Sequence, residues 1–455
     1  MKTKNQYGLL TCIAMIVGVV IGSGIFFKSD NILIATNGSI FLGCLAFIIA
    51  AISIIFGCLT VAELAARTDK PGGAITYTED AYGSAAACAF GWFQLLLYYP
   101  TTLAVVCYIV GLYVCMLFGI TATLTLQMLI GLITFVSLFV MNTLSKKVSA
   151  KYQTIATFIK LIPLFFIGIS GFLFGKPQTI FSVTSSEMTG GTWLNALIPI
   201  VFAFDGWIVA TAISHQVKDA KKNVPFALIV APLIILFMYL LYFIGISSYL
   251  GADTIVASGD NHVELAATNL IGPWAAKGII ICIIISVSAT ANGFMTGLFQ
   301  LPYSLAIRNM LPCSKQLSKI NEKYDTPILS CFLGALIVLF WIAIHYVTQA
   351  YNLLPNSDIS EIAITLNYVL FIALYYDVFR KGMNGEIKGF FKSKFNPIMA
   401  IIGSLIILYV GLQNKLFILY VAICVCILMS GYLYYKRNTK DSDDDFTADE
   451  LFVAE

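Results

Sequence analysis

The chain has 455 residues, of which 59% are hydrophobic and only 11% are charged, and its mean hydropathy is +0.87. Soluble globular proteins have about 25% charged residues, so this composition excludes a water-soluble fold. The formal net charge of +3 provides no strongly basic surface, which excludes nucleic acid as a partner.

Apolar runs of about 20 residues recur along the chain, and each is long enough to cross a hydrocarbon core of roughly 30 Å as a helix. We predict twelve transmembrane helices, numbered spans 1 to 12 in chain order. They cover residues 8–27, 40–65, 88–118, 121–144, 152–174, 192–214, 225–248, 274–306, 327–347, 360–379, 396–412 and 416–435. Residues 440–455 are acidic and poor in apolar side chains, which predicts a disordered cytoplasmic tail.

The basic residues predict the orientation of these spans. Of the 27 Lys and Arg residues, 22 fall on the side of the two termini, four fall on the opposite side, and Lys160 lies within span 5. Cytoplasmic loops of membrane proteins carry an excess of Lys and Arg. We therefore predict a multi-pass plasma-membrane protein with both termini in the cytoplasm.

The sequence contains no arrangement typical of a metal site or an enzyme. The chain has 11 cysteines, almost all in or beside apolar spans, where free Cys behaves as a small hydrophobe, and only three histidines. No serine or cysteine stands in a recognisable nucleophile and base pattern. We expect no metal, no cofactor and no enzymatic activity.

Two spans are interrupted in comparable places. Span 1 contains Gly22 and Gly24, and span 6 contains Asp205 and Gly206. The two spans are five apart, so they run in opposite directions across the membrane. Corresponding interruptions in two halves of opposite direction are typical of transporters built from inverted repeats, which bind substrate near the midplane.

The residue types at both interruptions are suited to a zwitterion. Unwinding at Gly22 and Gly24 would expose backbone N–H groups that bind a carboxylate, to which the Ser23 hydroxyl would add a bond. Freed carbonyl groups in span 6, beside Asp205, would accept hydrogen bonds from an ammonium group. The alternative explanation of the glycines in span 1 is close packing of two helices.

Two ionisable residues lie inside the predicted spans, Lys160 in span 5 and Asp205 in span 6. A charge at the centre of a bilayer costs about 2.5–3.5 kcal/mol on insertion scales, so each side chain needs a partner. One hypothesis pairs the two residues with each other. The other has Lys160 donating to carbonyl groups of span 1, with Asp205 near the substrate amine.

A series of motifs runs in order along nearly the whole chain. They are GSGIF at 22–26, PGGAITYTEDAYG at 71–83, YP at 99–100, YQTIATFIK at 152–160, FAFDGW at 202–207, VKDAKKNVP at 217–225 and NG at 292–293. On these motifs the chain resembles the amino acid-polyamine-organocation superfamily. Within that superfamily it is similar to the L-type amino acid transporters and to bacterial serine/threonine or alanine/serine/cysteine exchangers.

The resemblance implies an all-α membrane protein with a leucine-transporter-type 5+5 inverted repeat and broken helices 1 and 6. Residues 1–175 would form the first repeat, 176–380 the second, and 381–439 two additional helices. Transport would proceed by alternating access without sodium, because Lys160 matches a lysine that occupies the place of a sodium ion.

The resemblance also implies roles for single residues. Ser23 and Gly24 would hold the substrate carboxylate, while carbonyl groups of Ile21, Phe202 and Ala203 would receive the amine. The full set of expected substrate-binding residues is Ile21, Ser23, Gly24, Ile25, Phe202, Ala203 and Asp205, with Phe202, Phe204 and Trp207 as gating residues and Asn292 as a further candidate.

Three positions depart from the family pattern. Paired acids are usual before the loop after span 6, where this chain has His215 and Gln216, and a basic residue is usual in span 8, where it has Gln300. These departures concern the inner gate and the substrate range. Cys115 lies near the outer end of span 3 and is expected to be buried, so we predict no glycoprotein partner.

The favoured function is an exchanger of small neutral L-amino acids. A proton-coupled amino acid symporter and an amino acid/amine antiporter of the same fold are the alternatives. A membrane nutrient sensor or a channel would belong to another class, but the spans offer few polar residues from which to line a continuous pore.

Overall fold

A computed structural model of the chain describes residues 8–68, 70, 72–121, 123–176, 192–212, 217–324, 326–354, 357–414 and 416–440. Within these residues the secondary structure is helical and contains no β-strand. The predicted acidic tail lies outside the described residues, except for Lys440, at which the last helix ends.

Ten helices in the described part of the chain are long and apolar enough to cross a membrane. They are Ile40–Ala65, Ser84–Phe118, Leu124–Leu144, Lys146–Phe174, Ala220–Leu250, Pro273–Ala306, Ile328–Ala350, Ile359–Met383, Phe391–Gly411 and Phe417–Asn438. They correspond to spans 2–5 and 7–12. The prediction of an all-helical, multi-pass membrane protein is confirmed, and the total of twelve spans stays a prediction.

Spans 1 and 6 are the two predicted spans in which no single described helix is long and apolar enough to cross a membrane. Span 1 consists of Leu9–Val20 and Ser23–Phe27, after which Ser29–Ala35 follows at an angle of 59°. If this bent pair is taken as one span, the described part of the chain has eleven. Span 6 consists of the short helices Leu197–Phe204 and Val209–Ala212.

Shorter helices connect the spans. Ala74–Tyr82 precedes span 3, Ala252–Ser258 and His262–Ile271 lie between spans 7 and 8, and Ser314–Leu317 follows span 8. The segment between spans 7 and 8 therefore contains two short helices.

Two prolines explain irregularities in spans 3 and 5. Span 5 turns at Lys160, between Lys146–Ile159 and Leu161–Phe174, because Pro163 has no N–H to donate to the carbonyl group four residues earlier. Span 3 contains a π-helical turn at Gln94–Tyr98, just before Pro100. Proline leaves the Leu96 carbonyl without its helical donor, and the Trp341 indole N–H of span 9 donates to that carbonyl at 2.8 Å.

The packing of the helices brings the two broken spans together. The first half of span 1, Leu9–Val20, packs against spans 5, 7 and 8, and its second half, Ser23–Phe27, packs against Leu197–Phe204 of span 6. Span 11 lies against spans 2 and 10, and span 12 against the inner part of span 3. The breaks in spans 1 and 6 are thus neighbours within the bundle.

A network of polar side chains joins spans 4, 5 and 8. The Asn142 amide donates to Asn292 Oδ1 at 2.7 Å, and Asn142 Oδ1 accepts hydrogen bonds from Ser149 at 2.8 Å and Thr296 at 3.0 Å. The Asn292 amide donates in turn to Gln153 Oε1 at 3.0 Å. Because Asn142 and Asn292 are buried, these bonds replace those that water would make.

We expect Asn142→Ala to destabilise the protein, because it removes the hydrogen bonds of Asn142 with Asn292, Ser149 and Thr296. Each such hydrogen bond contributes about 0.5–1.5 kcal/mol to stability. Thermal unfolding of the detergent-solubilised protein measures the effect as a lower melting temperature. The matched control is Ser137→Ala on the same helix, where the exposed hydroxyl bonds only to its own Ile133 carbonyl. Equal melting temperatures for the two variants would contradict the prediction.

Candidate functional site

The backbones of spans 1 and 6 touch at their breaks. A Cβ atom placed on Gly24 would lie 2.3 Å from Ala203 Cα, which is closer than two carbon atoms that are not bonded to each other can approach. Glycine at position 24 therefore permits the start of Ser23–Phe27 to lie directly on the end of Leu197–Phe204. The glycines of span 1 therefore serve both purposes considered above. They allow two helices to pack closely, and they do so at the helix break.

The break in span 1 frees four successive carbonyl groups, from Gly18 to Ile21, and each accepts a side-chain hydrogen bond. Lys160 of span 5 donates to the carbonyls of Gly18 and Ile21. Thr290 of span 8 donates to Val19 O at 3.0 Å, and Tyr239 of span 7 donates to Val20 O at 2.9 Å. Three neighbouring spans thus satisfy the carboxyl end of this half-helix.

The break in span 6 has a different construction. Gly206 has φ +93°, a left-handed conformation that side-chain-bearing residues rarely adopt, and Asp205 before it is extended. The Tyr98 hydroxyl, which lies in the π-helical turn of span 3, donates to Asp205 Oδ2 at 2.7 Å. Tyr239 also reaches this break and donates to Ala203 O at 2.6 Å. One tyrosine of span 7 therefore links both breaks.

The structure separates the two hypotheses for the buried charges. Lys160 contacts the carbonyl groups of span 1 and Asp205 contacts a tyrosine, and these two residues do not form an ion pair with each other. The hypothesis of a Lys160–Asp205 pair is wrong. Lys160 is hydrogen-bonded at the break in span 1, and Asp205 is hydrogen-bonded at the break in span 6. A buried polar group without a partner would cost several kcal/mol.

The three carbonyl groups expected to receive the substrate amine already have partners. Ile21 O accepts a hydrogen bond from Lys160, Ala203 O from Tyr239, and Phe202 O from the Asp205 N–H at 3.2 Å. A carbonyl oxygen has two lone pairs, so the Phe202 and Ala203 carbonyls retain the capacity for a second bond, whereas Ile21 O already has a second, longer contact of 3.5 Å with the Thr290 hydroxyl. By contrast, the first four N–H groups of the half-helix Ser23–Phe27, those of Ser23 to Phe26, have no partner within that helix.

The three expected gating aromatics lie in different surroundings. Phe202 is 6% exposed, and its ring centroid lies 5.1 Å from the Lys28 ammonium. Phe204 packs edge to face on Tyr239 with ring centroids 4.9 Å apart. Trp207 donates its indole N–H to the Tyr368 hydroxyl at 3.1 Å. Phe204 and Trp207 are thus held in the aromatic core, whereas Phe202 borders a charged group.

The remaining predicted residues lie outside this arrangement or outside the described residues. Ile25 is buried in Ser23–Phe27, on the helix that packs against span 6. Asn292 belongs to the amide network of spans 4, 5 and 8. Gln300 is partly buried near the inner end of span 8. His215 and Gln216, together with the side chain of Ser23, are not among the described parts of the chain.

Sequence reasoning missed the hydroxyl groups that complete the site. Tyr239, Thr290 and Tyr98 stand in apolar spans without a local motif around them, so only the pairing of spans in space reveals their partners. It also missed Lys28, which was counted as a charge outside the membrane and is in fact 1% exposed. The sequence did set Lys28 apart, because it is one of only four basic residues that the charge distribution assigns to the side opposite the termini.

Buried acidic and imidazole groups surround the connection between spans 7 and 8. Burial and the nearby Asp30 carboxylate, opposed by Lys28, together raise the pKa of Asp260 to about 6. Burial lowers the pKa of His262, whose Nδ1 lies 2.6 Å from Gly259 O. Among the described residues, no group of three or more His, Cys, Asp or Glu side chains is arranged to hold a metal ion.

Comparison with known proteins gives consistent results. Residues 7–423 match the family model described as amino acid permease. The serine/threonine exchanger SteT of Bacillus subtilis (strain 168) is 30% identical over 413 residues, which cover 89% of this chain and 90% of that relative. The b(0,+)-type amino acid transporter 1 of Mus musculus is 26% identical over 95% of this chain and 87% of its own. The human cystine/glutamate transporter is 27% identical over 82% and 73%.

We expect Gly24→Ala to abolish transport without unfolding the protein, because the added methyl group would push Ser23–Phe27 away from Ala203. The expected fall in the initial rate of amino acid uptake is at least about tenfold, or ~1.4 kcal/mol in the barrier. Gly278→Ala in span 8 is the matched control, since no heavy atom lies within 4 Å of the Cβ it would add. Unchanged uptake by a folded Gly24→Ala protein would remove the proposed contact from the site.

We expect Lys160→Ala to slow turnover more than it reduces expression. The substitution leaves the carbonyls of Gly18 and Ile21 without their donor, so the carboxyl end of the first half of span 1 loses its fixed position. Initial rates should fall by about tenfold. Lys151→Ala, an exposed position on the same span, should keep the wild-type rate. A rate loss no greater than the loss of expressed protein would contradict this role.

Proposed function

Because the chain belongs to the amino acid permease family, as the match over residues 7–423 shows, we propose that it exchanges small neutral L-amino acids across the plasma membrane by alternating access. The observation that carries the proposal is the pair of adjoining helix breaks. There the carbonyl groups of span 1 are held by side chains, and the N–H groups of its second half have no partner within their helix.

This geometry supports backbone recognition of both ends of an amino acid. The N–H groups of Ser23, Gly24 and Ile25 begin a half-helix whose amino end carries partial positive charge, which suits the substrate carboxylate. The second lone pairs of the Phe202 and Ala203 carbonyls accept from the ammonium group, which also replaces the long 3.5 Å contact of Thr290 at Ile21 O. Asp205 lies beside this position and adds a negative charge when ionised.

Lys160 supports transport without sodium. Its ammonium group is buried between spans 5 and 1 and binds two carbonyl oxygens of span 1, as a coordinated cation would. A cation fixed to the chain remains in place throughout the cycle, whereas a sodium ion binds and leaves. We propose that the protein for this reason works without a sodium gradient.

The helix contacts support the 5+5 inverted repeat followed by two further spans. Spans 2 and 7 pack against each other, and so do spans 3 and 8, as equivalent elements that lie near a two-fold axis would. Other contacts between spans also occur as equivalent pairs. Spans 3 and 4 contact each other, as do spans 8 and 9. Spans 5 and 7 contact each other, as do spans 10 and 2, and the contact of spans 5 and 8 has its equivalent in that of spans 10 and 3. The proposed orientation, with both termini in the cytoplasm, rests on the distribution of Lys and Arg.

The name of one relative supports the exchange of small neutral amino acids. SteT is named as a serine/threonine exchanger, and its similarity covers nine tenths of both chains. The other two relatives carry different substrates in their names, so the substrate range of this chain needs a direct test. A proton-coupled symporter is the second candidate, because the buried Asp205 carboxylate at the break is positioned to bind a proton.

The test uses purified protein in liposomes and radiolabelled serine outside. An exchanger takes up label into liposomes preloaded with unlabelled serine and takes up little into empty ones, with or without sodium. Uptake into empty liposomes driven by an imposed pH gradient would instead establish symport. Competition by a panel of unlabelled amino acids then defines the preferred side chain, and small neutral amino acids should compete best. Absence of stimulation by internal serine, alanine or threonine would overturn the exchanger proposal.

A further inference from the structure

An ion triad is buried between the outer ends of spans 1 and 10. Lys28 Nζ donates to Asp358 Oδ2 at 2.9 Å and to Glu361 Oε1 at 2.7 Å. The exposed fractions of these residues are only 1%, 3% and 4%. Asp358 and Glu361 belong to the start of the helix Ile359–Met383, where Asp358 is the N-cap residue.

The triad is well bonded but costly. Asp358 accepts further bonds from the Ser360 N–H and hydroxyl, and Glu361 accepts one from the Ser357 hydroxyl. Two carboxyl groups share one ammonium group, and all three are withdrawn from water. Buried ion pairs are often no more stabilising than apolar side chains of similar size, because their removal from water costs as much as their attraction returns. Stability alone therefore does not explain three charges at this place.

The position of the triad relates it to the site. Lys28 lies at the bend between Ser23–Phe27 and Ser29–Ala35, immediately after the half-helix that packs on span 6. Its ammonium lies 5.1 Å from the Phe202 ring centroid and 5.3 Å from that of Phe27, both within the range of a cation–π contact. The triad thus covers the aromatic side chain at the end of the binding site that faces away from the termini.

We infer that Lys28, Asp358 and Glu361 form an ion-pair lock that closes the outer entrance of the site. The lock joins the second half of span 1 to span 10 and holds Phe202 beneath the Lys28 ammonium. Opening separates Lys28 from the two carboxylates, and the water that enters the vestibule hydrates the three charges. The inference rests on the proposed function, because it requires that the site open alternately to the two sides.

The test measures access to a buried reporter beside the lock. Ser29 is 0% exposed, so Ser29→Cys should react slowly with a membrane-impermeant maleimide applied from outside. Labelling is quantified at residue 29 by peptide mass spectrometry, which keeps the native cysteines from interfering. The lock is removed by Lys28→Met, Asp358→Asn and Glu361→Gln together. This combination preserves side-chain size and avoids leaving unpaired carboxylates in the interior, as Lys28→Met alone would.

We expect the neutralised lock to raise the labelling rate at residue 29 by about tenfold, because the outward-open state becomes more populated. Lys277→Met is the matched control, since this exposed lysine lies on the same side of the chain but outside the triad. It should leave the labelling rate unchanged. A monodisperse gel-filtration profile for each variant establishes that it is folded, and Glu361→Gln alone provides a milder second variant if the triple one is not.

The lock is overturned if labelling of the neutralised variant equals that of Ser29→Cys alone, or if Lys277→Met raises labelling as much. These outcomes are distinct from failure of the proposed function, which serine exchange by the unmodified protein in liposomes measures separately. Exchange without a change in labelling removes only the lock. A labelling increase without exchange leaves the lock in place as a closure and removes the proposed transport activity.

Discussion

Each peptide group at the depth of the hydrocarbon core needs a hydrogen-bond partner, since lipid supplies none. A helix that breaks there leaves several groups without one. In span 1 the four carbonyls from Gly18 to Ile21 are satisfied by Lys160, Thr290 and Tyr239, which come from spans 5, 8 and 7. The break is therefore a property of four spans together, and the glycines only make it possible.

The same constraint explains why the two sides of the break differ. Side chains satisfy the carbonyl groups, so they hold the first half of span 1 within the bundle. The amino end of the second half begins against Ala203 and has no comparable set of donors and acceptors around it among the described contacts. In the proposed function, a substrate carboxylate would complete the hydrogen bonding at this end and so couple occupancy of the site to the local structure.

Much of this arrangement could be predicted from the sequence, for reasons that differ among the residues. Gly24 and Gly206 stand out because glycine in a membrane helix permits close contact or a left-handed turn, and the structure uses both. Lys160 stands out because a buried ammonium must find acceptors, although the sequence left open whether these were carbonyls or Asp205. Ten of the spans followed from apolar length alone.

Other features could not be predicted, because they depend on which spans meet. A tyrosine in an apolar run, such as Tyr239, is indistinguishable from a core aromatic until two carbonyl groups are found opposite it. The Lys28 triad joins residues more than 300 positions apart, so neither the lysine nor the acids before span 10 form a local pattern. Charge counting placed Lys28 in water on the side opposite the termini, whereas the structure buries it in the protein interior.

The π-helical turn at Gln94–Tyr98 has a consequence for how span 3 is used across the thickness of the membrane. A π-turn adds one residue to the helix and so rotates everything beyond it by about 100° relative to a uniform α-helix. Before the turn, Ser84–Phe93 packs mainly against span 12; after it, Tyr99–Phe118 packs against spans 4, 8 and 9. One continuous segment thereby exchanges one set of neighbours for another along its length, and the exchange coincides with the level at which Tyr98 meets Asp205.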